Sequence, residues 1–414
     1  MKIKQINKYP FSTSILLLLL TVFIACETDF TPLVSLGLNN EYILPRMKTL
    51  LLQPGLEGKS YQWTMQTENG SDSIVGTEKD YIFLEEKTGT YHLRFQILDG
   101  ITPIDEKITI YVVEEQVTYS PYISIVYEYR PAPGQFVNQM PLYEDGDTEE
   151  SMRRKAEESI RGDIRQGVSL GSFGGYIIFG FDHTLINSKG KRDFHIEGNA
   201  FFSTAFPEVE AGSSESGIIL VSFDENQNGI PDDKWYEIDW YPEVTKEIAY
   251  MDYEITYSRP DENKTPDPGH GSITDKSYIP WSDNLGKNGY VMKNRFHDQS
   301  YYPLWLEENE MVFQGTRLPN NASDISGDGS YYLQFMFPQG AYVDNYPEGS
   351  MDKEGNYRNH FDIDWAVDIE TRERVHLKGI DFIKVYTGQN QYCGHLGETS
   401  TEIFSARDLH LTLY

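Results

Sequence analysis

Apolar and polar residues alternate along several short stretches of this chain, and that period of two constrains the fold more than any other feature. Tyr61, Trp63 and Met65 alternate with Gln62 and Thr64, and Tyr91, Leu93, Phe95 and Ile97 alternate with His92, Arg94 and Gln96. Ile108, Ile110 and Val112 repeat the pattern. Successive side chains of a strand point to opposite faces, so such runs form half-buried strands. Turn signals at Asn69-Gly70, Thr88-Gly89 and Asp99-Gly100 separate them. Residues 36–115 are therefore expected to form a small β-sandwich.

Further candidate strands follow. Gly175–Phe181, Gly217–Phe223, Trp235–Ile238, Tyr331–Phe337 and Asp381–Tyr386 are the candidates. One amphipathic helix is expected over about 148–161. Asp147-Thr-Glu-Glu150 resembles a capping box, Ala156 and Ile160 share a face, and Gly162 offers a stop. The 29 Tyr, 21 Phe, 34 Gly and 20 Pro suit strands joined by turns. The expected class is mostly β, with a larger jelly-roll-like sandwich carrying one helix in residues 116–414.

The N-terminus reads as a secretory signal. Lys2, Lys4 and Lys8 precede an apolar run that ends at Ala25-Cys26. The run is too short for a comfortable membrane span. Phe23-Ile24-Ala25-Cys26 resembles a bacterial lipobox, which implies cleavage after residue 25, lipidation of Cys26 and a short tether over 26–35. Glu27 and Asp29 resemble the signal that exports Bacteroidetes lipoproteins to the outer face of the outer membrane. Removing residues 1–25 moves the formal charge from −29 to −32, because that segment holds three lysines. Nucleic-acid binding needs a basic footprint and is excluded on this balance. With Cys26 lipidated, Cys393 has no partner for an intramolecular disulfide, so core packing or bound metal must hold the fold.

Two further resemblances are specific. Ser60-Tyr-Gln-Trp-Thr64, Gly89-Thr-Tyr-His-Leu-Arg-Phe95 and the last strand of the first region look like a PKD-like immunoglobulin-type domain. That likeness implies Trp63 between the sheets, Tyr91 at a corner and a spacer or adhesion role. Leu170–Tyr176, Gly180–His183, Asp193–Asn199, Trp365–Asp368, Gly379–Gly388 and Leu396–Glu402 resemble a group of Bacteroidetes "cell surface protein" lipoproteins. Its members are often associated with TonB-dependent nutrient uptake, cobalamin included. Asp72-Ser73-Ile74 resembles an O-glycosylation signal at Ser73.

The sharpest local motif is Asp224-Glu-Asn226-Gln-Asn228-Gly229-Ile230-Pro-Asp232-Asp233. Oxygen-bearing side chains at positions one, three, five and nine, with the Ile230 carbonyl at seven, suit structural calcium. Trp235 stands where an EF-hand has its bidentate glutamate, leaving Asp233 or Glu237 to complete the set. The alternative is a metal-free Asx-turn hairpin. Trp281, Tyr301, Tyr302 and Trp305 lie in a loop-like stretch, 258–310, as candidate ligand-binding rings. Packing in the second core is the alternative for them. His183 beside Asp182 reads as a structural pair, and Asp362 with Asp364 is weak evidence for glycoside hydrolysis.

No catalytic signature emerges. The expected function is a surface-exposed outer-membrane lipoprotein that binds a glycan, corrinoid or protein partner as an accessory to nutrient capture beside a TonB-dependent transporter. A carboxylate-dependent glycan hydrolase and a structural adhesin or transporter-associated subunit are the alternatives.

Overall fold

The computed structural model describes residues 36–66, 70–99 and 104–411. The signal, Cys26 and the tether lie outside the described residues. Among the described residues no helix is long and apolar enough to cross a membrane.

The chain is mostly β, as its alternation requires. The first region builds a five-stranded sheet in the order Glu41–Pro45, Ile104–Val113, Gly89–Ile97, Tyr61–Gln66, Asp72–Gly76. Glu41–Pro45 runs parallel to its neighbour and the other pairs are antiparallel. A two-stranded piece, Leu50–Leu52 with Tyr81–Phe83, pairs separately, and its Leu52, Tyr81 and Phe83 share one core with the sheet. Trp63 is fully buried, its ring centroid 4.6 Å from that of Phe95, and its indole N–H donates to the Glu78 and Lys79 carbonyls. Tyr91 donates its hydroxyl to the Lys87 carbonyl at 2.8 Å, four residues upstream, in the manner of a corner tyrosine. Ser73 is exposed on the edge strand Asp72–Gly76.

The second region opposes a six-stranded and a four-stranded sheet. The larger runs Ala366–Asp368, Trp235–Ile238, Gly217–Ser222, Gly379–Thr387, Tyr176–Ile186, Ile125–Arg130. The smaller runs Asn288–Asn294, Ile273–Asp283, Tyr250–Ser258, Glu310–Arg317. Aromatic rings fill the space between them. Phe173 meets Tyr253 at 4.9 Å and Tyr386 at 6.2 Å, and Tyr257 meets Phe313 at 6.1 Å. Edge-to-face pairs of this kind add to the burial of large apolar area. The stretch 258–310, expected as loop, therefore holds a long hairpin. Polar residues such as Asp275 break its alternation, and Asp275 is buried against Lys264 at 3.0 Å.

The helix spans Glu149–Ile160 and buries Met152, Ala156 and Ile160. Its cap differs from the expected one: Thr148 is the N-cap, and its reciprocal partner is Ser151 rather than Glu150. A second helix, Pro242–Ile248, begins on a proline whose fixed φ and missing N–H cost nothing at that position.

The two regions meet through Met47, Leu84, Ile186 and Phe223. Lys378 crosses the junction, donating to the Ile82 carbonyl at 2.7 Å with its ammonium 3.7 Å from the Tyr81 ring centroid. Thr184 N–H donates to the Met47 carbonyl at 3.3 Å. The first sandwich is thus seated on the second rather than merely tethered to it.

Candidate functional site

A cleft of about 360 Å³ opens where the hairpin Ile273–Asp283/Asn288–Asn294 faces the segment after Gly379–Thr387. The hairpin turn is built by Asp283, whose Oδ1 accepts from the Leu285 and Lys287 amides at 3.0 and 2.7 Å. Trp281 pairs with Gly289 across the two strands. A Cβ on Gly289 would stand 2.6 Å from the indole, so glycine is what lets the ring lie against the neighbouring strand. Tyr290, 46 % exposed, follows on the same strand. These rings form one wall of the cleft.

The other wall comes from distant segments. Arg317 ends its strand and donates Nη2 to Asn320 Oδ1 at 3.0 Å and to the Asn390 carbonyl at 3.3 Å. Asn390 donates to the Tyr253 hydroxyl at 3.0 Å, which in turn donates to Asp283 Oδ2 at 3.0 Å. Gln391 and Tyr392 complete this side, and buried Glu398 accepts from the Gln135 amide at 2.6 Å. Burial pushes the Glu398 carboxyl up to about 8 and the Tyr392 hydroxyl up to about 12.

The distinctive feature is unsatisfied polarity. Glu398 Oε2, Tyr392 Oη and Arg317 Nε are each closed off from bulk water with no hydrogen-bond partner, and all three residues line this cleft. Each such atom costs about 1–3 kcal/mol. A larger hollow of about 560 Å³ lies on the outer face of the first sheet, but Arg94 and Asp105 there pair with each other at 2.5 Å. Among the described residues that hollow carries one such atom, Thr64 Oγ1.

Of the sequence-derived rings, only Trp281 reaches the cleft. Tyr301, Tyr302 and Trp305 are 0, 1 and 8 % exposed, and the ligand-binding expectation for them is corrected to packing. Tyr301 meets Tyr278 edge-on at 5.5 Å, Trp305 stacks near Tyr129 at 6.0 Å, and Tyr302 donates to the Glu308 carbonyl at 2.8 Å. Tyr290, Arg317, Asn320, Asn390 and Glu398 were not foreseen. The one signal for them in the sequence is the Trp281/Gly289 pairing around a turn at Asp283–Lys287.

The Asp224–Asp233 loop is exposed and folds on itself. Asp224 accepts from the Asn228 and Gly229 amides at 3.0 and 2.9 Å, and Asn228 Oδ1 accepts from Ile230 N–H at 2.7 Å. The side-chain amides of Asn226 and Asn228 donate to Asp232 at 3.1 Å, so the loop is tied together by its own hydrogen bonds. Burial and the charges of Asp224 and Asp232 raise the Asp233 carboxyl. Asp224, Asp232, Asp233, the two amide oxygens and the Ile230 carbonyl are hard donors suited to calcium. Glu237 is not among them: it is buried, accepting from Arg372 at 2.9 Å and Thr316 at 2.7 Å.

A second acidic group escaped the sequence because its members are far apart in the chain. One carboxylate oxygen from each of Glu215, Asp344 and Glu402 lies within 4.8 Å of the others. Burial raises all three, and Asp344 rises to about 7. His183 is clamped between Asp182 and Asp408 at 2.8 Å each, as a structural pair. Asp362 caps a short 3₁₀ turn through the Asp364 amide at 2.9 Å, which accounts for that carboxylate pair. Cys393 is buried, and its thiol is pushed up to about 12.

No protein-family profile matches the chain, and no curated protein does. Among solved structures, a carbohydrate-binding module of the β-sandwich superfamily aligns at 9 % identity over 88 % of this chain and 93 % of that chain, with a TM-score of 0.14. A SusE-like protein aligns at 8 % identity over the same shares, with a TM-score of 0.23. Neither likeness carries weight for the ligand.

Proposed function

We propose that the cleft binds a glycan or a similarly hydroxyl-rich ring ligand, and that the protein is a lipid-anchored accessory that captures it at the outer face of the outer membrane. The observation that carries this reading is the gathering of three unpartnered buried polar atoms around one cleft walled by Trp281 and Tyr290. A flat aromatic face stacks on a sugar ring, and hydroxyls pair with Asn320, Asn390 and Glu398. A cleft of about 360 Å³ suits sugar rings better than a macrocyclic corrinoid. Anchoring through Cys26 and delivery to a TonB-dependent transporter belong to the same reading. Thermal unfolding against a panel of oligosaccharides and corrinoids tests it, because a ligand of the native state raises apparent stability. A rise with an oligosaccharide, lost in Trp281→Ala, supports the proposal. No rise with any glycan refutes it.

One observation favours a second reading. Glu398, held largely protonated at neutral pH, and Asp283 line the same cleft, as a general acid and a carboxylate would in a glycan hydrolase. Release of reducing ends from a bound oligosaccharide, lost in Glu398→Gln, would establish hydrolysis. Intact ligand after prolonged incubation would leave binding alone.

A further inference from the structure

The cleft gathers two cations in a chain of net charge −29. Lys287 and Arg317 both line it, and among the described residues neither has an acidic group within ion-pair distance. Arg317 spends Nη2 on two neutral oxygens, lies over the Tyr253 ring at 5.0 Å, and among the described residues leaves Nη1 without a hydrogen bond. Lys287 contributes its backbone to the turn, and among the described residues its ammonium makes no hydrogen bond or ion pair. The carboxylates of the cleft do not answer these charges. Asp283 is occupied by the Tyr253 hydroxyl and two backbone amides. Glu398 is buried and accepts from the Gln135 amide.

We infer that the cleft selects acidic glycans, with the carboxylate of a uronic-acid ring received by Arg317 and Lys287 while the ring stacks on Trp281. This rests on the glycan-binding reading above and narrows it. A guanidinium is the side chain best matched to a planar carboxylate, and its unused N–H groups are already oriented by Asn320 and Asn390. The partly enclosed setting strengthens the attraction relative to an exposed pair. Asn320 and Asn390 keep amide groups for ring hydroxyls.

The test uses paired probes of equal size: oligogalacturonate, oligomannuronate and hyaluronan oligosaccharides, each as the free acid and as its methyl ester. Binding to the purified full chain is followed by calorimetry at low salt. For at least one pair the acid binds tenfold or more tighter than the ester. Lys287→Met, at an exposed position, cuts that preference at least threefold while the ester's affinity stays within twofold, and Arg317→Met cuts the preference at least threefold as well. Equal affinity for acid and ester in every pair overturns the inference and leaves glycan binding standing. A preference untouched by both substitutions also overturns it. Failure of every acid and ester alike, together with every neutral oligosaccharide, overturns both readings.

Discussion

Gly289→Ala offers a sharp perturbation of the cleft because it adds a single methyl group. That methyl would stand 2.6, 2.8 and 3.2 Å from Cζ2, Cε2 and Nε1 of Trp281, closer than carbon atoms approach without displacement. Gly289 lies in a regular strand and has no left-handed φ, so alanine itself is tolerated by the backbone. The indole must therefore tilt away. Tilting costs about 0.5–1.5 kcal/mol in rotamer strain, and Trp281 is half-buried rather than central to the core. The stability loss should stay near 1 kcal/mol. Losing a flat aromatic anchor costs a binding site about 2 kcal/mol or more, which is roughly a 30-fold fall in affinity at about 1.4 kcal/mol per tenfold. Calorimetry with the oligosaccharide that stabilises the native chain measures the affinity, and urea unfolding measures the stability. The reasoning predicts a large affinity loss beside a small stability loss. Unchanged affinity in Gly289→Ala, with the ring's displacement confirmed by altered tryptophan fluorescence, would refute it.

Three further outcomes are expected. The carboxyls of Glu215, Asp344 and Glu402 are raised by burial in the fold, so their contribution is fully present below the unfolded values near 4 and is lost as pH rises through the folded ones, about 7 for Asp344. Urea unfolding should therefore show stability falling from pH 5 to pH 8, and Glu402→Gln should flatten that slope; a slope identical to wild type would count against the coupling. If the Asp224 loop holds calcium, excess calcium at about 100 times Kd stabilises the fold by about 2.7 kcal/mol. A chelator should lower the melting temperature and Asp224→Ala should abolish the difference, whereas a melt indifferent to both points to a plain hairpin. Cys26→Ala should move the protein from the membrane to the soluble fraction and stop incorporation of labelled palmitate, and continued membrane retention would contradict lipid anchoring.

The strands were the legible part of the fold, because period-two alternation follows directly from side-chain geometry. Trp235–Ile238 matches its expected bounds, and the helix at Glu149–Ile160 falls within a residue of them. Pairing was not legible. The central strand Gly379–Thr387 sits between Gly217–Ser222 and Tyr176–Ile186, partners more than 150 residues away in sequence. The cleft was legible only at Trp281, since its walls come from segments near 253, 281–292, 317–320 and 390–398. Composition cannot separate an aromatic ring that packs from one that binds, and Tyr301 and Tyr302 are the cost of that ambiguity. The Asp224 turn was readable because its oxygen-bearing residues fall in one short segment; the Glu215–Asp344–Glu402 group was not, because the fold alone brings it together.

The most direct test of the central claim is a glycan array probed with the wild-type chain and with Trp281→Ala side by side. The account predicts that wild type binds a defined set of glycans, acidic ones foremost, and that the variant loses them while retaining a cooperative unfolding transition. An array on which wild type binds nothing, or on which the folded variant binds the same glycans equally well, would contradict it.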